Sequence, residues 1–335
     1  MKKYLQGAAV AALSVAIAAP VMADEWSVSV WGKPRVFTSH IEKLNELLTE
    51  KTNGEFTLNI SYGGLSKAPE NLDGISIGAF EMAQICAGYH RDKNPALTVL
   101  ELPFIGVNTL EQEVAVSMAV YGTEAAKADM DRWNAMLLMP SPMPQYNLVG
   151  KGDAPKTLDD FQGMRVRATG GIGQAFTKVG AVPTSVTATE AYNAMESGVV
   201  DSVAFAQHAH QAYRTIDMGT YWTTNLNPGT VNCPVVMSKD AYDALSDEHK
   251  EALNSSVQEA LDHYLAEYTK VYDKFNAALD EKGIERVTYS EDDLAAFREA
   301  AAAPIREEWI KDMSAQGIAA QELIDTMMGA LNASN

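Results

Sequence analysis

The segment from Ser246 to Lys282 narrows the possible folds more than any other part of the chain, because it contains neither proline nor glycine. Apolar side chains recur along it at steps of three and four residues, a spacing that places them on one face of an α-helix. They are Leu253, Val257, Ala260, Leu261, Tyr264, Tyr268, Val271, Tyr272, Phe275 and Leu279. A helix of about 35 residues is about 50 Å long, which is longer than one compact lobe is wide. The pattern predicts a single helix that packs on two structural units in turn, whereas a break near Asp262 would give two ordinary helices.

Patterns of strands and helices alternate twice in the rest of the chain. The first succession includes the strand-like stretch EWSVSVWG, a helix from about Ser39 and a helical stretch from Glu111 to Trp133. The second succession occupies about Leu148 to Asn232. This order is typical of α/β sheets with helices on both faces, so we predict a two-lobed α/β protein with a ligand cleft between the lobes and the long helix bridging both. The predicted boundaries are 24–147 plus about 233–275 for lobe I, and 148–232 plus about 276–335 for lobe II.

The N-terminus has the features of a secretory signal peptide. Lys2 and Lys3 precede the apolar run GAAVAALSVAIAA, which Pro20 and a predicted cleavage site after Ala23 follow. The run is too short for a comfortable membrane span, which argues against the alternative of a retained membrane anchor. We therefore predict that residues 1–23 are removed and that the mature protein lies in the periplasm.

The chain is strongly acidic. Its formal net charge is −18 at pH 7, and removal of the two lysines in the signal peptide changes it to −20. Binding to nucleic-acid phosphates needs a basic surface, so a nucleic-acid partner is excluded on this ground.

The two cysteines, Cys86 and Cys233, leave two interpretations open. An oxidising compartment permits a disulfide, but both residues lie in apolar stretches, where free thiols are common too. A zinc site is not predicted, because the chain has no CxxC motif and His208 and His210 stand alone at a spacing of two residues.

Catalytic motifs are nearly absent. The pattern GxSxG occurs as GISIG, Gly74 to Gly78, but Ser76 falls in a predicted short helix after a loop, whereas a nucleophile elbow needs a strand before the serine. The HExxH motif is missing, and the stretch TGGIG lacks the GxGxxG spacing of a dinucleotide site. We predict no cofactor, no metal and no enzymatic activity. A periplasmic hydrolase that uses Ser76 is the rival hypothesis from a different class.

Two arginines, Arg165 and Arg167, lie two residues apart in the predicted strand MRVRAT, a spacing that points both to one face. α/β proteins bind ligands at the carboxyl ends of their strands, and Arg167 is the nearer of the two to that end. A guanidinium group can hold a carboxylate through two parallel hydrogen bonds. Arg167 is therefore the predicted anchor of an organic acid.

Four stretches follow one another along the chain: EKTNGEFTLNISYGGLS, NPALTVLELPFIG, TLDDFQGMRVRAT and VGAVPTSVTATEAYNAMESGVVDS. In this order they resemble the solute-binding proteins of tripartite ATP-independent periplasmic (TRAP) transporters, the DctP family, and the resemblance covers essentially the whole mature chain. It implies two α/β lobes, a long bridging helix, closure of the cleft on an organic acid, no catalysis, and delivery of the ligand to a membrane permease. The family's ligand-binding arginine lies in a GxKxR motif, which here covers Gly163 to Arg167 and implies this role for Arg167. Arg165 falls on a position usually held by a surface lysine and is predicted to be structural.

The chain departs from the family pattern at two positions. Sialic-acid-binding members carry a further arginine about twenty residues earlier, where this chain has Asn147 beside Tyr146. Many members have an asparagine four residues after the aspartate of GVVDG, where this chain has Phe205. Both differences remove polar anchors and leave one arginine in a more aromatic cleft. The predicted ligand-binding residues are Arg167, Phe205, Asn147, Tyr146, Trp31, Tyr89, Trp222 and His208.

The predicted function is that of an extracytoplasmic solute receptor of a TRAP transporter. Its ligand is predicted to be a small monocarboxylate with an apolar or aromatic body, and a C4-dicarboxylate or a 2-oxo acid is the alternative within the same class. The predicted partners are this ligand and the permease subunits in the membrane.

Overall fold

The computed structural model describes residues 23–334. The predicted signal peptide, residues 1–23, lies outside the described residues except for Ala23. Between residues 23 and 334, no helix has both the length and the apolar character needed to cross a membrane.

Short strands and helices alternate through most of the described chain, and long helices end it. The strands are β1 (Asp24–Val30), β2 (Phe56–Tyr62), β3 (Met82–Gln84), β4 (Ala135–Pro140), β5 (Asn147–Gly150), β6 (Arg165–Arg167), β7 (Val182–Thr184), β8 (Ser202–Phe205), β9 (Tyr221–Thr223), β10 (Pro234–Ser238) and β11 (Glu285–Val287). The α-helices are α1 (Ser39–Lys51), α2 (Asn71–Ser76), α3 (Leu110–Tyr121), α4 (Glu124–Asp131), α5 (Gly170–Lys178), α6 (Ala191–Glu196), α7 (Gln207–Ala212), α8 (Lys239–Ala244), α9 (Asp247–Lys282), α10 (Glu291–Ala315) and α11 (Ala320–Ala333). The 3₁₀ helices are Val36–Thr38, Ala68–Glu70, Ala87–Tyr89, Pro95–Glu101, Leu158–Phe161, Ala188–Glu190 and Thr215–Met218.

The strands form two sheets. The first has the order β2-β1-β3-β10-β4 and the second the order β11-β9-β5-β8-β6-β7. In the first sheet β10 runs antiparallel to β3 and β4, and in the second β5 runs antiparallel to β8 and β9, while the other neighbours are parallel. Because β10 comes late in the chain but lies inside the first sheet, the chain leaves that sheet after β4 and returns to it. The predicted two-lobed α/β architecture is confirmed.

The long helix α9 runs without a break from Asp247 to Lys282, so the single helix is confirmed and a break near Asp262 is wrong. The side chain of Ser246 caps its N-terminus by accepting a hydrogen bond from the backbone nitrogen of His249 (3.1 Å). Gly283 ends it in the left-handed conformation, with φ 64°. Its 36 residues correspond to a length of about 54 Å.

Helix α9 packs on the two sheets in turn. Leu253 and Leu261 share an apolar core with Val28 of β1 in the first sheet. Near the other end of the helix, the ring of Phe275 lies 4.9 Å from that of Trp222 in β9 of the second sheet. The helix therefore bridges the two lobes and brings its middle segment close to the space between them.

The structure differs from the sequence prediction between residues 111 and 133. Two helices, α3 and α4, occupy the stretch predicted as one. Gly122 follows the first helix, and the side chain of Thr123 caps the second by accepting a hydrogen bond from the backbone nitrogen of Ala126 (3.3 Å). The glycine weakens the helix, and the threonine supplies a new start directly after it.

The C-terminal helices return toward both halves of the molecule. Helix α10 packs against α5, which lies between strands of the second sheet, and α11 packs against α3, which precedes β4 of the first. The lobe boundaries given above stay a prediction.

Candidate ligand-binding site

A small cavity lies between the two sheets, at the carboxyl ends of β1, β3, β6 and β8. Its walls include Trp31 after β1, Tyr89 after β3, Arg167 at the end of β6 and Phe205 at the end of β8. The empty space among these side chains is about 430 Å³, part of which is open to solvent, and this size suits a small molecule.

Arg167 is the buried cation of this cavity, with 2% of its surface exposed. Its Nε and Nη2 atoms donate hydrogen bonds to the carbonyl oxygen of Val186, at 3.0 and 2.8 Å, and Nη1 donates to that of Ala204 at 3.3 Å. The guanidinium carbon lies 4.5 Å from the ring centre of Phe205. Nη2 also lies 3.4 Å from the hydroxyl of Tyr89, which accepts a hydrogen bond from the backbone of Ala188 at 2.9 Å. These contacts fix the orientation of the guanidinium group without neutralising its charge.

No carboxylate lies within 4 Å of the Arg167 guanidinium in the part of the chain that the structure describes. A buried cation without an acidic partner is costly to a folded protein. A guanidinium group has five N–H donors, and the bonds to Val186 and Ala204 leave at least one donor on Nη1 for another acceptor. The arrangement can therefore bind a carboxylate.

Arg165, two residues earlier on β6, has a different environment. It is exposed and forms an ion pair with both carboxylate oxygens of Asp201. This pair raises the pKa of Arg165 through a hydrogen bond with Asp201 and lowers that of Asp201. The geometry gives Arg165 a structural role at the start of the strand.

Six of the eight residues predicted for the site lie on the cavity wall. They are Arg167, Phe205, Tyr146, Trp31, Tyr89 and His208. The ring of Trp31 lies 6.3 Å from that of Tyr89, and the ring of Tyr146 lies 6.5 Å from that of Phe205. The ring of His208 stacks on that of Phe37 at 5.5 Å, and its Nδ1 hydrogen-bonds the hydroxyl of Tyr268 in α9. The wall is thus largely aromatic.

The other two predicted residues, Asn147 and Trp222, lie away from the cavity. Asn147 follows Tyr146 in extended chain, where neighbouring side chains point to opposite sides. Its Oδ1 accepts a hydrogen bond from the backbone of Leu226 (3.0 Å), and its Nδ2 donates to Asn227 (2.7 Å). Trp222 faces α9, where it packs on Phe275. Both residues therefore stabilise the second lobe.

Several residues of the wall were not predicted from the sequence. These are Arg35, Phe37, Cys86, Gly88, Glu101, Met143, Thr169, Ala188, Ala209, Tyr213, Val231 and Cys233. Arg35 could have been proposed from the sequence, because it follows the end of strand β1, and Arg167 likewise lies at the end of strand β6. Cys86 and Cys233 form a disulfide, which decides between the two interpretations of these cysteines.

His208, Tyr146 and Tyr213 of the wall are neutral near pH 7. Burial lowers the pKa of His208 well below its usual range, and the nearby Arg35 adds to the effect. Burial raises the pKa of Tyr146 and of Tyr213 above the usual value for a phenol. The arginines are therefore the main charges of the cavity.

Glu101 is the acid of the cavity wall, and burial raises its pKa to about 7. Its Oε1 accepts hydrogen bonds from the backbone nitrogens of Gly88 (2.9 Å) and Asn232 (3.3 Å). The neighbouring Glu113 is buried as well, and burial together with Glu101 raises its pKa to about 8. Near pH 7 Glu101 is about half ionised and Glu113 less, so these acids offset only part of the positive charge of Arg35 and Arg167, and the cavity favours an anionic ligand.

Two glycines allow the start of α5 to approach Glu101. Gly170 has φ 55°, and a Cβ atom at this position would overlap Oε2 of Glu101. A Cβ atom at Gly171 would overlap the backbone oxygen of Glu101 and lie 3.1 Å from Cδ of Pro103. The glycines of TGGIG thus permit close packing of α5 on the 3₁₀ helix Pro95–Glu101, beside the cavity.

Replacing Gly171 by alanine is expected to lower the midpoint of thermal unfolding by several degrees. The new methyl group meets backbone atoms that cannot rotate away, and overpacking of this kind costs roughly 1–3 kcal/mol. The matched control is Gly329→Ala in α11, where no atom lies within 4 Å of the added Cβ. That variant is expected to keep or raise the midpoint, because alanine is the better helix former. Scanning calorimetry of both variants tests this prediction, and equal midpoints would contradict it.

The candidate nucleophile Ser76 has no catalytic geometry. It is the last residue of α2, and its hydroxyl donates a hydrogen bond to the carbonyl oxygen of Asp73 (2.7 Å). A nucleophile elbow places its serine between a strand and a helix. Within residues 23–334, no three His, Cys, Asp or Glu side chains are placed to hold a metal ion.

Curated relatives cover most of the chain. A Comamonas testosteroni protein named outer membrane transporter protein TsaT is 23% identical over 285 residues, which is 84% of this chain and 83% of that one. The 2,3-diketo-L-gulonate-binding periplasmic protein YiaO of Escherichia coli is 23% identical over 275 residues, which is 81% of this chain and 82% of that one.

A solved structure shares the fold. A TRAP solute-binding protein from an unidentified marine microbe, described as specific for aromatic acid ligands and crystallised with 3-hydroxybenzoate, superposes with a TM-score of 0.83 at 20% identity. The match covers 93% of this chain and 99% of that one. The family model described as bacterial extracellular solute-binding protein, family 7 (DctP), matches residues 28–312. The chain therefore belongs to the DctP family of extracellular solute-binding proteins, the receptors of TRAP transporters, and is a receptor rather than an enzyme.

Proposed function

We propose that this protein is a periplasmic receptor for a small monocarboxylate with an apolar or aromatic body, and that it delivers this ligand to the membrane permease of a TRAP transporter. The observation that carries the proposal is the environment of Arg167. This guanidinium group is buried, is oriented by backbone carbonyl oxygens and the hydroxyl of Tyr89, and has no carboxylate within 4 Å among residues 23–334. A ligand carboxylate supplies the missing partner.

The rest of the cavity supports an apolar or aromatic ligand body. Ring faces and edges of Trp31, Tyr89, Tyr146 and Phe205 surround the space next to Arg167. Aromatic walls pack well against flat or apolar groups and offer few hydrogen bonds to a polyhydroxylated one. The marine relative is described as specific for aromatic acids, which agrees with this ligand class.

The alternative within the class is a 2-oxo acid or a C4-dicarboxylate. The E. coli relative is named for 2,3-diketo-L-gulonate, which is an oxo acid with several hydroxyl groups. Phe205 and the inward-facing rings supply little that would pair with such hydroxyl groups. We therefore favour the monocarboxylate.

Mass spectrometry of the small molecules released from the purified, denatured protein tests the proposal. We expect an organic acid with a single carboxylate and a ring or apolar chain. A thermal-shift panel of benzoate, 3-hydroxybenzoate, pentanoate, pyruvate, succinate and glucose provides the second arm, because a ligand that binds the folded state raises its unfolding midpoint. Stabilisation by the aromatic or aliphatic monocarboxylates is the expected result. Stabilisation by glucose alone would refute the proposal, and chemical conversion of the bound acid would favour an enzyme.

A further inference from the structure

Arg35 is a second cation on the cavity wall, and the proposed function makes no use of it. It lies in the turn after β1 and so comes from the first sheet, whereas Arg167 comes from the second. Its guanidinium carbon lies 4.8 Å from the ring centre of Phe37 and 5.6 Å from that of Tyr213. Because Tyr213 follows α7 in the second lobe, the Arg35–Tyr213 contact connects the two sides of the cavity.

The hydrogen bonds of Arg35 leave donors unused. Its Nη1 donates to the carbonyl oxygens of Trp31 (2.6 Å) and Lys33 (3.0 Å), and no carboxylate lies within 4 Å of its guanidinium group among residues 23–334. Its Nε is buried without a hydrogen-bond partner, and the buried hydroxyl of Tyr213, which interacts with the side chain of Trp31, has no well-formed hydrogen bond. A buried donor without an acceptor is costly, and native proteins contain few of them.

The two side chains are close neighbours. A Cβ atom placed on Gly32 would lie 3.0 Å from Nη1 of Arg35 and 3.1 Å from the hydroxyl of Tyr213, so these two atoms are at most about 6 Å apart. Both side chains line the cavity, so a ligand oxygen placed between them has the Tyr213 hydroxyl and the unused N–H groups of Arg35 as hydrogen-bond donors. The positive charge of Arg35 makes the position suitable for a neutral or an anionic oxygen.

Two rings connect this position to Arg167. The guanidinium carbon of Arg167 lies 4.5 Å from the ring centre of Phe205, and the rings of Phe205 and Tyr213 are 5.8 Å apart. Arg35 lies against the second of these rings. A ligand body that extends along the two rings has one end at Arg167 and the other at Arg35.

We propose that Arg35 and Tyr213 form a second polar anchor, which selects acids with a hydrogen-bond acceptor at the end opposite the carboxylate held by Arg167. The acceptor is a hydroxyl or oxo oxygen on an otherwise apolar or aromatic body. This inference rests on the proposed function and narrows its ligand class.

Titration calorimetry with two matched pairs of ligands tests the second anchor. Benzoate and 3-hydroxybenzoate differ by a hydroxyl group, and pentanoate and glutarate differ by a second carboxylate. The variants are Arg35→Met, which keeps a long apolar side chain against Phe37, and Tyr213→Phe, which removes only the hydroxyl. The control is Lys33→Met, which changes the net charge equally at an exposed position in the same turn.

We expect the wild-type protein to bind 3-hydroxybenzoate at least tenfold more tightly than benzoate. A tenfold preference for glutarate over pentanoate would instead favour a dicarboxylate ligand and contradict the proposed monocarboxylate. In Arg35→Met the preference should fall below about threefold, because the affinity for the member with the acceptor drops more than the affinity for the member without it. Tyr213→Phe should lose part of the preference, and Lys33→Met should retain all of it.

Two results overturn the second anchor alone. One is binding of the acids by the wild-type protein without preference in either pair. The other is an equal loss for both members of a pair in Arg35→Met, which would mean that Arg35 only holds the walls together. Failure of all four acids to bind would overturn this inference and the proposed function together.

Discussion

Replacing Arg167 by alanine is expected to weaken binding of the carboxylate ligand by roughly 10²-fold or more. A charge-assisted hydrogen bond contributes roughly 1.5–3 kcal/mol, and a carboxylate left without a partner in the buried cavity costs more. Each 1.4 kcal/mol changes the dissociation constant about tenfold. The measurement is titration calorimetry of wild type and variant with the acid that co-purifies or, failing one, with the best acid of the thermal-shift panel.

The chain provides a matched control on the same strand. Arg165→Ala removes an equal charge two residues away, but this side chain is exposed and paired with Asp201. Its affinity for the ligand is expected to stay within about threefold of wild type. A larger loss in Arg165→Ala than in Arg167→Ala would reverse the two roles.

A second variant at the anchor separates charge from geometry. Arg167→Lys keeps the positive charge but cannot bind a carboxylate through two parallel N–H groups or bond Val186 as the guanidinium does. It is expected to bind the ligand more weakly than wild type and more tightly than Arg167→Ala. Arg167→Lys also remains informative if the alanine variant misfolds, because the lysine stem fills much of the same space beside Phe205. Wild-type affinity in both variants would refute the role of Arg167.

The features predicted best from the sequence depend on local patterns. The long helix α9 was readable because a stripe of apolar residues and the absence of proline and glycine act within the segment itself. Strand β1 was readable for the same kind of reason, namely alternation along a few residues. The break between α3 and α4 also had a local signal, Gly122 followed by Thr123, which the apolar pattern around it outweighed.

The site was harder to predict because it depends on which face of a strand a side chain occupies. Tyr146 and Asn147 are adjacent in the sequence, yet Tyr146 lines the cavity and Asn147 hydrogen-bonds behind it. A shift of one residue exchanges the two faces, and the sequence alone does not fix which face the neighbouring elements cover. Trp222 is a second example, since its place under α9 depends on Phe275, which follows it by about fifty residues.

Arg35 and Glu101 show the limit of motif-based reasoning. Neither lies in a pattern associated with binding, and each becomes notable only through what surrounds it: unpaired donors for Arg35 and burial beside two glycines for Glu101. Arg167 was found because a resemblance and a position at a strand end pointed to the same residue. The absence of a nearby carboxylate indicates that the buried guanidinium group can bind a ligand. This absence is a property of the folded chain and cannot be read from the sequence.

Removing the disulfide between Cys86 and Cys233 is expected to lower the midpoint of thermal unfolding by roughly 5–10 °C. The bond links residues separated by 147 positions, and loss of a native disulfide costs about 2–5 kcal/mol, in part because a cross-link over a long loop restricts the unfolded chain. The folded chain holds the two residues together in any case. They flank the neighbouring strands β3 and β10, where the backbone nitrogens of Ile85 and Ala87 donate hydrogen bonds to Pro234 (2.9 Å) and Asn232 (2.8 Å). The loss should therefore affect stability more than native shape.

Two ways of removing the bond separate the effect of the cross-link on stability from the contribution of the sulfur atoms to the cavity wall. The double variant Cys86→Ala/Cys233→Ala removes both sulfur atoms from the wall, whereas reduction of the wild-type protein keeps them in place. If the cross-link accounts for the stability, both forms should unfold at the same lowered temperature, and a reductant should leave the double variant unchanged. A weaker ligand affinity in the double variant than in the reduced wild type would then measure what the sulfur atoms contribute to the wall. A double variant that unfolds at the temperature of the oxidised wild type would contradict the prediction, because the hydrogen bonds between β3 and β10 would then be sufficient without the covalent bond.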